Sequence, residues 1–146
     1  MAGDKLDVLF DLNIILDVLQ QRDKFYEISA NLLALAETRE IQGWLAAHSI
    51  TTLFYLIAKD KSAEHGRVVI ASLLRFIKIA PIDQSIIEQA LSLPYTDFED
   101  AVQMSAAMGV QVDYLLTRNV RDYQPAPLAV VQPAELYALL SSTKYP

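Results

Sequence analysis

The sequence predicts an α/β fold, a central and mostly parallel sheet with helices on both faces, and three observations carry that reading. Short apolar runs of strand length alternate with longer segments whose apolar residues recur at helical spacing. One or two helical segments separate most strands from the next, as the long crossovers between parallel neighbours require. The 146 residues are 53% hydrophobic and 21% charged with 4 Gly and 6 Pro, which fits one cored domain over residues 1–146 and excludes disordered and linker-rich classes.

The first strand is expected at Leu6–Phe10, where Val8, Leu9 and Phe10 are successive apolar residues, the mark of a strand covered on both faces. Leu12, Ile15, Leu16 and Leu19 then recur at helical spacing. A second helix carries Ile28, Leu32, Leu35 and Ala36, and Ile41–Leu45 is a second strand. Ile50, Leu53, Phe54 and Ile57 form a helical stripe over about Ser49–Lys59, and Val68–Ile77 is a further apolar helix after the charged turn Lys59–Glu64. Ile77–Ala80 before Pro81 is a third strand, and Ile86, Ile87, Ala90 and Leu91 a helix stopped by Pro94. Thr96 and Glu99 have the spacing of a capping box, so a helix is expected from Thr96 to a terminal glycine at Gly109. Val112–Thr117 and Leu128–Val131 are the last strands, and Pro133 suits the first position of a closing helix.

Charge and composition narrow the chemistry. Twelve Lys and Arg against 18 Asp and Glu give a net charge of -6, so a polyanion must be met by local cations or by metal ions. With 0 Cys there is no disulfide, thiolate zinc site or thiol nucleophile, which is compatible with a reducing cytoplasm. Asp4, Asp7 and Asp11 interrupt any apolar core of a secretory signal, and runs such as Val68–Leu74 are too short to span a bilayer, so a soluble, cytoplasmic protein is expected. A mean hydropathy of +0.23 in so small a domain predicts surface buried in a dimer or against a partner.

Ligands of parallel sheets bind beyond the C-terminal ends of the strands, so the polar residues there carry the functional reading. Asp11 closes the first strand, with Asn13 just beyond and Asp17 along the next helix, a candidate metal corner; equally, Asp is a favoured cap for the helix starting at Leu12. Asp97 and Asp100 lie three apart in the first turn of their helix and could share one cation, although acidic residues also favour a helix N-terminus for its dipole. Asn119 and Asp122 follow the strand at Val112–Thr117, where a plain Asx-type turn is the ordinary alternative. Three segments that bring oxygen ligands to one rim are costly without a neutralising cation, and carboxylates with an amide but no Cys or paired His suit Mg²⁺ or Mn²⁺.

The runs Val8-Leu9-Phe10-Asp11-Leu12-Asn13-Ile14-Ile15-Leu16-Asp17, then Asp97-Phe98-Glu99-Asp100-Ala101, then Leu116-Thr117-Arg118-Asn119-Val120-Arg121-Asp122-Tyr123, resemble in order and placement the PIN-domain nucleases, in particular their toxin-like bacterial, VapC-like branch. The resemblance spans essentially the whole chain. It implies a three-layer α/β/α fold and a Mg²⁺- or Mn²⁺-dependent endoribonuclease, with an antitoxin protein as partner. Carried over, Asp11, Asp97, Asp100 and Asp122 would be the catalytic acids; Asp11, Asp100, Asn119 and Asp122 would hold metal; and Asn13 and Thr117 would fix the carboxylates in place. Arg118 and Arg121 would lie near the site, where they could grip RNA phosphates. One position departs from the family's Ser-x-x-Thr-x-x-Glu pattern: after Ser49 and Thr52, Tyr55 stands where the glutamate is usual, and a neutral phenol is a poor ligand for a hard cation.

Two rival functions remain. A PIN-like module that binds RNA or protein without cutting accommodates Tyr55 and the acidic net charge. Phosphotransfer through Asp11 would need a second aspartate two residues on, and Asn13 cannot serve as that general acid. His48 and His65 lie in different segments and make no histidine pair; turn hydrogen bonding at a helix start is the simpler role for His48, and packing for Trp44 and Tyr114.

Overall fold

A computed structural model describes residues 5–144; Asp4 and the two ends of the 1–146 span lie outside the described residues. The elements are β1 (Asp7–Phe10), α1 (Leu12–Leu19), α2 (Tyr26–Glu37), β2 (Gln42–Ala46), α3 (Ala47–Asp60), α4 (Ala63–Leu73), β3 (Ile77–Ala80), α5 (Gln84–Leu91), α6 (Phe98–Val110), β4 (Tyr114–Leu116), a 3-10 helix (Val120–Tyr123), β5 (Ala129–Val131) and α7 (Pro133–Lys144). The five strands form one sheet in the order β3-β2-β1-β4-β5. Each pairing is parallel, with Leu9 opposite Trp44 on one side and Leu115 on the other.

The period of two in the strands explains why both faces are covered. Val8 and Phe10 join one core cluster with Leu45, Ile77 and Leu116, which the first four helices and α7 close. Leu9 points the other way and packs with Ala46, Ala80, Leu115 and Met104 of α6. The result is the three-layer α/β/α sandwich expected. The chain winds outward from β1 through β2 to β3, then returns to lay β4 on the other side of β1. Strand order therefore reverses between β1 and β4, and a crevice opens beyond their C-terminal ends at that switch point.

Two boundaries differ from expectation for physical reasons. Thr96 does not open a capping box: Asp97 is the N-cap of α6, and its side chain accepts the Glu99 N–H at 2.8 Å. Gly109 lies inside α6, and Gln111 takes the left-handed cap at φ 58°. What Gly109 supplies is room, since a Cβ there would come within 2.8 Å of Ile86 Cδ1 on α5. Among the described residues no helix is long and apolar enough to cross a membrane.

Candidate metal centre

Asp11 leaves β1 at the switch point, its N–H still bonded to the Leu116 carbonyl of β4 at 2.9 Å. Its carboxylate has two roles. Oδ1 caps α1 through the Asn13 N–H, at a long 3.4 Å, and Oδ2 accepts the Thr117 hydroxyl at 2.7 Å. Thr117, fully buried, also accepts the Asn119 N–H at 3.0 Å, so one hydroxyl ties the ends of β1 and β4 together. The capping and site readings of Asp11 are thus compatible in one side chain.

Four aspartates, Asp11, Asp97, Asp100 and Asp122, line a single pocket of about 240 Å³, with Asn13 and Asn119 beside them. The pocket gathers Asp11, Asp97, Asp100, Asn119 and Asp122 from three separate segments, but not Asp17. Among the described residues none of its lining side chains is Lys or Arg. The electrostatic result is visible at Asp100, whose carboxyl is pushed up to about 6, first by burial and then by the charges of Asp97, Asp122 and Asp11, against a hydrogen bond from Tyr123.

Donor chemistry fits a hard divalent cation, because the converging groups are carboxylate and amide oxygens. Among the described residues no three His, Asp or Glu side chains stand close enough together to hold one ion between them.

Other expected residues are placed elsewhere. Asp17 is no metal corner: it is fully buried on α1, where it accepts Arg118 at 2.9 Å, Ser29 at 3.1 Å and Arg22 at 3.4 Å. Arg118 is correspondingly turned inward, with its guanidinium 3.8 Å over the Phe25 ring and 2.9 Å from Asp17. Arg121 is exposed on the 3-10 helix. Asn13 lines the pocket and accepts from Arg22 at 3.3 Å. Tyr55 is 62% exposed and does not line the pocket, although Ser49 and Thr52, two turns and one turn earlier on α3, do.

Four further pocket residues were not singled out from the sequence as part of the site. Glu99 lines it beside Asp100, and His48 lies in the first turn of α3 with Nε2 3.2 Å from the Glu99 carbonyl. That carbonyl can only accept, so Nε2 donates, and the buried Nδ1 has no hydrogen-bond partner. Gln103 and Tyr123 form the pocket floor with Asp100, through bonds of 2.7 and 3.1 Å at the tyrosine hydroxyl. Helical spacing placed Gln103 one turn beyond Asp100, the one signal that could have found it.

Comparison with solved structures finds the same architecture. A toxin-antitoxin complex from Klebsiella pneumoniae superposes with a TM-score of 0.67 at 25% identity, over 86% of this chain and 97% of that one. VapBC2 from Rickettsia felis, bound to a promoter DNA fragment, gives 0.66 at 18% identity over 87% and 98%. Mycobacterium tuberculosis VapC20, a toxin that cleaves the sarcin-ricin loop, gives 0.58 at 11% identity over 74% and 86%. A comparison with curated proteins yields no significant match. The profile of the PIN domain family matches residues 7–121, which runs from the first residue of β1 past Asn119 into the 3-10 helix. On this profile and this topology, with the acidic pocket at the β1–β4 switch point, the chain belongs to the PIN domain family.

Proposed function

We propose that this protein is a Mg²⁺- or Mn²⁺-dependent endoribonuclease and the toxin of a toxin–antitoxin pair. The observation that carries the reading is the convergence of Asp11, Asp97, Asp100 and Asp122 in one pocket that has no cationic side chain of its own among the described residues. Such a cluster is costly as it stands and is relieved by a bound divalent ion.

In this reading Asp11 and Asp100 are the principal metal ligands, Asn119 and Asp122 complete the opposite corner, and Asp97 adds a further acid. Thr117 holds Asp11 through its hydroxyl, and Arg22 holds the Asn13 amide. With a divalent ion held by these residues, the site would gain a water of lowered pKa and a counter-charge for the scissile phosphate, so no Ser or Cys nucleophile is required. The chain's own task is to keep the carboxylates aimed into the crevice and to admit a phosphodiester strand along it. Antitoxin partnership is supported by the fold shared with toxin-antitoxin complexes, and a homodimer by exposed apolar side chains such as those of Val68 and Leu74.

The test is cleavage of a structured and an unstructured RNA by the purified chain with Mn²⁺, with EDTA and Asp100→Asn as controls. Cuts that require Mn²⁺ and vanish in both controls support the reading. RNA binding without turnover, in protein that binds no Mn²⁺, supports a non-cleaving PIN module instead.

A further inference from the structure

We infer that Gln103 and Tyr123 form a clasp that aims Asp100 for metal binding and fixes the α6 half of the pocket to the half carried by the 3-10 helix. The inference rests on the metal-site reading above and assigns to it two residues outside the ligand set. Tyr123 is 1% exposed and Gln103 4%, so neither side chain meets bulk water. The Gln103 amide nitrogen lies 2.7 Å from the Tyr123 hydroxyl, which lies 3.1 Å from Asp100 Oδ1.

Hydrogen-bond polarity gives this chain a direction. An amide nitrogen can only donate, so the tyrosine oxygen accepts from Gln103 and its single hydrogen is left for Asp100. A phenol in that state donates to one carboxylate oxygen and leaves the other for a cation. The same tyrosine follows Asp122 directly in the 3-10 helix, so its grip on Asp100 couples the two acidic segments. Its own position is fixed from outside the pocket: the Tyr95 ring meets it edge-on at 6.0 Å, and the Tyr95 hydroxyl bonds to the Pro125 carbonyl at 2.7 Å. Tyr123 and Gln103 are thus positioning residues that act through Asp100.

Isothermal titration of Mn²⁺ into metal-free wild type, Tyr123→Phe, Gln103→Leu and Asp100→Asn, with thermal unfolding of each, tests the clasp without reference to activity. Tyr123→Phe keeps the ring and removes the hydroxyl, and is expected to weaken Mn²⁺ about tenfold, the low end for loss of a group that orients a metal ligand. Gln103→Leu leaves the tyrosine hydrogen free to turn away and is expected to weaken Mn²⁺ by about threefold; it reports on the same chain if the phenylalanine variant does not fold. A purely structural role would lower the melting temperature and leave the affinity of the folded protein unchanged. Wild-type affinity in both folded variants, with Asp100→Asn impaired, overturns the clasp and leaves the metal site standing. No Mn²⁺ binding by wild type overturns the metal-site reading and the clasp with it.

Discussion

The Thr117 hydroxyl reaches Asp11 Oδ2 at 2.7 Å across 106 residues of chain, and both side chains are buried at the C-terminal ends of adjacent parallel strands. A hydrogen bond to a buried carboxylate contributes about 1.5–3 kcal/mol, and it also fixes which way that carboxylate faces. Thr117→Val is therefore expected to lose about that stability and most RNA cleavage, whereas Thr117→Ser, which keeps the donor, retains both. Urea unfolding beside a cleavage assay separates the two variants. Equal activity in the valine variant would show that Asp11 needs no such support.

The dual role of Asp11 is separable by choice of substitution. Asn is as good an N-cap as Asp and can still accept from Thr117, so Asp11→Asn is expected to keep wild-type stability while losing cleavage and Mn²⁺ binding. Asp11→Ala removes the cap as well and should cost about 1 kcal/mol more. Thermal unfolding in EDTA is the measurement, and a large loss in the asparagine variant would mean that the charge itself supports the fold.

Asp17 lies six residues beyond Asp11, and nothing in its spacing distinguishes it from a ligand. Its fate is set by Arg118, 101 residues away, and by Ser29 on the next helix. Breaking a buried pair by removing one partner leaves the other charge uncompensated, so Asp17→Ala is expected to cost about 3–5 kcal/mol. The loss should be the same with and without Mn²⁺, because the residue lies outside the pocket. A variant of normal stability that no longer bound Mn²⁺ would return Asp17 to the metal site.

The strands, most helices and the three acidic segments were legible because they are local properties: uninterrupted apolar runs, helical spacing, and carboxylates at strand ends. What was not legible depends on contacts between distant segments. Thr96 and Asp97 are both good caps, and it is the Asp97 carboxylate that accepts the Glu99 N–H. Gly109 carries the signature of a helix end, but its use is the approach of Ile86. The tyrosine after Asp122 could be read as packing, and it is the Gln103 amide, 20 residues earlier, that turns its hydroxyl toward Asp100. Arg118 and Arg121 look alike in sequence, yet one is held by Asp17 and the other faces solvent.

That last difference can be measured. Arg121→Ala is expected to weaken RNA binding, reduce the slope of log K against log salt by about one, and leave the melting temperature unchanged, as for loss of one phosphate contact. Arg118→Ala should instead lower the melting temperature by removing the partner of buried Asp17. Filter binding of the metal-free protein over a salt series, beside thermal unfolding, reads both. An unchanged slope in Arg121→Ala would remove that residue from the RNA path.

The raised pKa of Asp100 makes the pocket destabilising in the absence of metal, and the sign of its pH dependence follows. Burial and the neighbouring aspartates lift the carboxyl to about 6 in the folded chain, from a value of 3.8. The folded state therefore holds this proton more tightly than the unfolded state does. Its contribution is fully favourable below about pH 4 and is lost as pH rises through 6. The shift corresponds to about 3 kcal/mol without screening, and solvent access to this half-buried group reduces the expected effect to about 1 kcal/mol. Asp100→Asn, which keeps the Tyr123 hydrogen bond without the charge, should thus be about 1 kcal/mol more stable than wild type in EDTA at pH 7.5, with the difference gone near pH 4. Saturating Mn²⁺ should reverse the order at pH 7.5, because an ion that binds the folded wild type stabilises it by mass action and the variant has lost a ligand. Chemical denaturation at the two pH values, with and without Mn²⁺, gives the comparison. A wild type that is the more stable protein in EDTA at pH 7.5 would show that the cluster is not under electrostatic strain, and would remove the reason for placing a cation there.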